Sequence, residues 1–166
     1  AGIDAAITNT EKNLANAREL RESNLNNVFT QKGDGWVEMN LGDVCEVKDG
    51  THDSPKYVED GIPFVTQKNI RKTGFDLTNT KHISIEDHEK FYKRSNVAKG
   101  DIIISMIGVN RGMACIVDRD EIFSIKNVGL IKKNPEICQS YLDFYLKSFP
   151  AKGYIDKASR GGAQPF

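Results

Sequence analysis

Lys99-Gly-Asp-Ile-Ile-Ile-Ser-Met-Ile-Gly-Val-Asn-Arg-Gly-Met-Ala-Cys-Ile-Val117 is the stretch whose reading decides the fold of this chain. Two apolar runs, 101–106 and 113–117, flank a loop framed by Gly108 and Gly112 that carries Asn110 and Arg111. Runs this short, rich in β-branched residues and bounded by Gly and Asp, read as buried strands and not as helices. The strands form a rigid support, and a short loop on such a support can present hydrogen-bond donors to a base edge.

Similar apolar runs at 36–40, 44–48, 62–66, 82–85 and 123–132, separated by Gly, Asn and Asp, predict further short strands. Ser84 caps a predicted helix reaching Arg94, and Pro135 opens another in which Ile137, Tyr141, Leu142, Tyr145 and Leu146 share a face. A third helix is predicted over 151–158 after Pro150, ending at Gly161-Gly162.

Residues 2–29 differ in kind: they contain no proline, are rich in helix formers, and repeat Ile3, Ile7, Leu14, Ala17, Leu25 and Val28 near a helical period. On a helical wheel these six fall within about 80°, with Thr10 and Arg21 among them and Leu20 about 60° outside. So narrow a stripe suits a partner helix, although it could instead pack on the chain's own domain. About 28 residues at roughly 1.5 Å each give a length near 42 Å, so the helix is expected to project. Gln31-Lys-Gly-Asp-Gly35 supplies the hinge after it. The expected class is α+β: a mixed twisted sheet or partly closed barrel flanked by short helices, plus one long projecting N-terminal helix.

The 166 residues suit one domain with one protruding element. No apolar run approaches the roughly 20 residues needed to span a bilayer, and residues 1–20 lack a signal-peptide pattern, so no membrane partner and a cytoplasmic location are expected. Cys45, Cys115 and Cys138 are odd in number and widely spaced within apolar patterns, which predicts buried free thiols and no structural zinc. The 23 basic and 23 acidic residues balance. That argues against non-specific coating of nucleic acid through a large positive field, but not against base reading by a few placed donors.

Motifs for chemistry are missing. The chain has no phosphate-binding G-x4-G-K-[ST] loop, no dinucleotide glycine motif after a strand and no Asn-Pro-Pro-aromatic tetrapeptide. His52, His82 and His88 lack zinc-ligand spacing, and no Ser or Cys occupies a nucleophile elbow. Asp101, Glu121 and Lys126 could be imagined as a metal-nuclease set, against the plainer reading of a strand-opening turn and surface charges. No catalytic residue, bound metal or cofactor is expected in this chain.

The opening stretch resembles the Gly-Asp-Ile-Leu-Ile-Ser-x-x-Gly-x-x-Gly core of target-recognition domains in type I restriction-modification specificity subunits. The resemblance extends in order along the chain. Ile3-Asp-Ala-Ala-Ile7 and the run Thr10 to Phe29 look like the end of the family's spacer helix. Trp36, Leu41-Gly-Asp-Val-Cys-Glu-Val-Lys-Asp-Gly50 and Gly61-Ile-Pro-Phe-Val-Thr-Gln-Lys-Asn-Ile70 look like the opening of a recognition domain. Ser159-Arg-Gly-Gly-Ala-Gln-Pro165 resembles the exit to the next spacer helix, and Gln164 there could serve a structural turn. By this likeness residues 1–30 are a coiled-coil-like spacer, 31–35 a hinge, 36–160 the recognition domain, and 161–166 the start of the next conserved region.

The resemblance implies a non-catalytic subunit that reads one half of a bipartite target in double-stranded DNA. It would dock methyltransferase subunits and an ATP-dependent restriction (translocase/nuclease) subunit, which would bind S-adenosylmethionine, ATP and magnesium. Two spacer helices packed antiparallel would separate two recognition domains by about one turn of DNA, roughly 34–36 Å. Family members usually carry two domains and two helices. A single copy of each therefore implies a half-subunit or fragment, able to restore the pair by homodimerising, or by joining another half, through the Ile3, Ile7, Leu14, Ala17, Leu25 and Val28 face. The rival reading is a helix-mediated protein–protein module without DNA specificity.

Arg suits guanine, and Asn or Gln suits adenine, in the major groove. Arg111, Asn110, Gln67 and Asn69 are accordingly the base-reading candidates, and Thr51, His52, Lys56, Lys68, Arg71, Lys126, Ser159 and Arg160 the phosphate or mixed ones. Plainer roles are open to several: Asn69 and Asn110 as left-handed turn residues, Gln67 as a strand end, His52 as a loop polar group.

Overall fold

A computed structural model describes residues 2–71, 74–108 and 110–159. In chain order the elements are α1 (Gly2–Thr30), α2 (Leu41–Val44), β1 (Val47–Asp49), β2 (Tyr57–Val58), β3 (Ile62–Val65), β4 (Ile70–Arg71), β5 (Gly74–Phe75), β6 (Lys81–Ile83), α3 (Ile85–Ser95), β7 (Ile102–Ser105), β8 (Ala114–Ile116), β9 (Ser124–Ile125), β10 (Val128–Ile131), α4 (Gln139–Leu146) and α5 (Phe149–Ala158). A single 3₁₀ turn, Gln67–Asn69, joins β3 to β4.

The expected α+β class is what forms, with two four-stranded sheets and no closed barrel among the described residues. The first, in order β1-β10-β7-β8, is antiparallel throughout, and in it the two runs flanking the glycine-framed loop pair as a hairpin, with Ile103 opposite Cys115. The second runs β2-β6-β3-β9, its last pair parallel. β4 and β5 make a separate ribbon.

Strand alternation explains why β7 is apolar at consecutive positions. Ile103 enters a core shared with Val65, Ile70, Phe75, Phe123, Ile125 and Leu130, which joins the two sheets. Ile102 faces the other way, onto Ile131, Ala114, Leu142 and Leu146, where α4 covers the first sheet. Both isoleucines are fully buried, each contributing about 1.5–3 kcal/mol of apolar transfer. A third cluster, Phe64, Ile83 and Phe91, seats α3 on the second sheet.

Ahead of β7, Asp101 is 1% exposed, and its carboxylate accepts from the amides of Ala98 and Lys133 and from the Lys132 ammonium. It is a turn clamp, which removes it from any metal-nuclease set. Among the described residues no group of three or more His, Cys, Asp or Glu could hold a metal ion.

Several local expectations need correction. Residues 36–40 form no strand: Trp36 packs edge-on against Phe29 at 6.4 Å, and Val37 and Met39 are exposed. The run 44–48 opens as the helical turn α2, so its strand begins only at Val47. The run 123–132 breaks into β9 and β10 because Asn127 turns left-handed, φ 52°. Pro135 does not open a helix: Asn134 accepts from the Glu136 amide through Oδ1 and from the Ile137 amide through its carbonyl, and this turn delays α4 until Gln139. Cys45 and Cys115 are buried free thiols as expected, but Cys138, just before α4, is exposed.

α1 is a 29-residue helix, about 43 Å long. Its C-terminal end meets α4 and α5, where Phe29 is buried with ring contacts to Tyr141 at 5.5 Å and Tyr145 at 5.4 Å. Ile3, Ile7, Leu14, Ala17, Leu20 and Val28 are exposed and Leu25 half-buried, so the N-terminal part of the stripe does not pack on the chain's own domain. No helix among the described residues is long and apolar enough to cross a membrane.

Candidate nucleic-acid interface

Strand register gathers the loops. β3 ends at Val65 beside Ile125 of the parallel β9, β7 ends at Ser105 opposite Val128, and β1 ends at Asp49 opposite Gly129. The segments that follow, 50–54, 66–71, 106–108 with 110–112, and 126–127, therefore leave the sheets at one end of the molecule. A seam holds them together: the Gly50 amide donates to Val128 O, the Thr51 amide to Ile125 O, the Asn127 amide to Thr51 O, and the Lys126 amide to Val65 O. Only glycine fits at position 50, since a Cβ there would lie 2.4 Å from Ile125 O.

In the first group of side chains the 3₁₀ turn is fixed by a capping box. Asn69 Oδ1 accepts from the Thr66 amide at 2.9 Å, while its Nδ2 donates to Asp76 O and Thr80 Oγ1, both at 2.9 Å. Asn69 is buried, which corrects its expectation as a base reader: its amide is fully engaged in shaping the turn. Gln67 is half-buried, accepts from Ser105 Oγ at 3.2 Å, and sits against Gly108. Lys68 is exposed, as is Arg71, whose Nε lies 3.7 Å from Asp76.

Across from Gln67, the loop 106–112 closes through the Gly112 amide on Ser105 O at 2.8 Å, with Gly108 and Gly112 at positive φ. Asn110 is exposed; neither it nor Asn69 has the left-handed backbone considered for them. Arg111 does not offer a free guanidinium. Its side chain is 18% exposed, and Nη2 donates to Asp156 Oδ1 of α5 at 2.7 Å.

The second group lies on the seam. Thr51 is buried and its hydroxyl accepts from the Asp53 amide, so it shapes the turn instead of facing a ligand. His52 is exposed, with Nδ1 2.7 Å from Asn127 Oδ1 and Nε2 2.9 Å from Asp49 Oδ2. Arg94 of α3 meets Asp49 with two hydrogen bonds of 2.8 Å, holding that carboxyl below the usual carboxylate range. Lys126 donates to Ser54 Oγ at 2.7 Å, and Lys90 pairs with Asp53 at 3.1 Å. The charges here are largely compensated, as the balanced composition suggests.

Lys56 is set apart: it precedes β2, where Tyr57 pairs with Ile83 at the far end of the second sheet. Ser159 caps α5, its hydroxyl donating to Ile155 O at 2.6 Å. Arg160 and the exit sequence up to Phe166 lie outside the described residues. Thus Gln67, Lys68, Arg71, Asn110, His52 and Lys126 come together at one end. Sequence reasoning missed Asp156, Ser105 and Asn127. Only Asn127 carried a signal, an Asn-Val-Gly break inside an apolar run.

The model of the type I restriction modification DNA specificity domain matches residues 33–165. Comparison with curated proteins gave no match. Among solved structures, the chain is similar to the HsdS subunit from Thermoanaerobacter tengcongensis (15% identity, 84% of this chain and 36% of that one, TM-score 0.57). It is also similar to the type I restriction-modification S subunit from M. genitalium (17% identity, 93% of this chain and 41% of that one, TM-score 0.59). The chain spans about two fifths of the length of these relatives. With the family model covering most of its length and a fold similar to that of these neighbours, the chain belongs to the type I restriction-modification DNA specificity family.

Proposed function

We propose that this chain reads one half of a bipartite double-stranded DNA target, with the face formed by segments 50–54, 66–71, 106–112 and 126–127 against the duplex. The observation that carries this reading is the convergence of Asn110 and Gln67, with amides suited to adenine, beside exposed Lys68, Arg71 and His52 on one rigid end. The chain is non-catalytic in this reading. Methylation and cleavage belong to methyltransferase and restriction subunits, which bind S-adenosylmethionine, ATP and magnesium, in the cytoplasm. The exposed face of α1 supports pairing with another helix, from a second copy or another half, that sets the distance between half-sites.

The test uses the complete specificity subunit assembled with its methyltransferase. Asn110→Ala or Gln67→Ala should cost about 1–3 kcal/mol on the cognate half-site and relax one base pair. Lys68→Ala should weaken all duplexes alike and lower the salt slope by about one. Equal losses on cognate and random duplexes for both amide variants would overturn the assignment of this face.

A further inference from the structure

We propose that Asp156 on α5 is a positioning residue for sequence discrimination, acting through Arg111 to fix the path of the loop that carries Asn110. This rests on the reading of residues 106–112 as a DNA-facing loop. Two successive loop residues meet two successive residues of α5: Arg111 Nη2 donates to Asp156 Oδ1 at 2.7 Å, and a Cβ on Gly112 would lie 3.1 Å from Ile155 Cδ1. Arg111 Nε is also buried and finds no acceptor. A guanidinium seated in this way reaches DNA through the backbone it holds, not through a free fork of donors.

The loop needs an external tie. Gly108 and Gly112, at φ 74° and 81°, give its two ends the widest backbone freedom available to any residue. The Gly112 amide on Ser105 O closes the hairpin, and the Arg111 amide on Gly108 O and the Met113 amide on Asn110 O shape the loop within itself, but these local bonds do not set the angle at which the loop leaves the sheet. That angle decides where Asn110 points, and base reading tolerates errors of only about half an ångström.

α5 is suited to fix it because α5 is itself anchored at several points. Ser148 caps it and Ala151 is buried. The Phe149 amide donates to Asn26 Oδ1 of α1 at 2.7 Å, and the Tyr154 hydroxyl donates to Glu38 Oε1 at 2.7 Å. The loop is thereby referenced to the foot of the long helix as well as to its own sheet.

The experiment measures binding of the complete specificity subunit with its methyltransferase to the cognate duplex and to one altered at a single base pair. The variants are Asn110→Ala, Arg111→Ala, Asp156→Asn, Asp156→Glu and the Arg111→Ala/Asp156→Asn double. Asp156→Asn and Arg111→Ala should each lower the cognate-to-altered ratio by about tenfold, and the double no further. Asp156→Glu should restore most of the ratio, and the salt slope of Asp156→Asn should match the wild type. A lowered active fraction with an unmoved ratio in Asp156→Asn would mark a purely structural defect and overturn the positioning role. Full discrimination by Asp156→Asn alongside its loss in Asn110→Ala would overturn the positioning role and leave the loop's reading role intact. Tighter cognate binding by Asp156→Asn would overturn it too, since Arg111 would then itself be a reader that Asp156 holds back. Full discrimination by both Asp156→Asn and Asn110→Ala would overturn the positioning role together with the reading on which it rests.

Discussion

Asn69 directs its whole amide inward, to the Thr66 amide, the Asp76 carbonyl and the Thr80 hydroxyl, and the turn bearing Gln67 and Lys68 depends on those bonds. Asn69→Ala would leave buried partners unpaired and should cost about 1–3 kcal/mol in a denaturant melt; an unchanged midpoint would contradict this role. Thiol reactivity should be as uneven as burial. Burial pushes the Cys115 thiol up to about 12, whereas Cys138 is exposed. A thiol reagent at neutral pH should modify Cys138 in the native protein and Cys115 only after unfolding, and equal rates would count against the packing described. Side-chain direction is the part of the site that residue types could not reveal. Asn69, Thr51 and Arg111 stand in a DNA-reading sequence context, yet the Asn69 and Arg111 side chains turn toward Thr80 and Asp156, and the Thr51 hydroxyl is taken up by the Asp53 amide. Periodicity carries no information about such pairings, while Lys68 and Asn110 were legible because no distant side chain among the described residues claims them.

At the scale of elements, α1 was the most legible, because a 3.6-residue period sustained over 29 residues outweighs any local ambiguity. Its apolar face is exposed here, so Leu14→Glu should leave the thermal stability of the domain within about 0.5 kcal/mol. The same change should abolish helix-mediated self-association in sedimentation or light scattering; a large loss of domain stability would show that the helix packs at home. Short strands were less legible. Residues 36–40 alternate like a strand but find no ladder, and Asn127 splits a run that composition alone reads as continuous. The seam between sheets also predicts a pH response. Arg94 holds the Asp49 carboxyl below its ordinary range, so this pair stabilises the fold fully above that range and less as pH falls through the lowered value. Between roughly pH 5 and pH 2 the wild type should lose more stability than Asp49→Asn in urea melts; parallel losses would remove the pair from the account.

For the molecule as a whole, the deciding feature is that β3, β7, β9 and β1 deliver their following or preceding segments to one end through registers such as Val65 with Ile125 and Ser105 with Val128. That convergence was not legible locally, since the parallel β3–β9 pair joins residues 60 positions apart. The resemblance in the order of motifs pointed to the family by another route, and the family match over residues 33–165 agrees with that assignment. That this face reads DNA sequence is directly testable. The most direct measurement maps methylated bases across a genome by long-read sequencing. The cells would express this domain within a complete specificity subunit, with its methyltransferase, in wild-type and Asn110→Ala forms. The expected result is a split motif in which Asn110→Ala degrades one half and leaves the other intact. An identical motif from both forms, or no split motif from a complex that assembles normally, would contradict it.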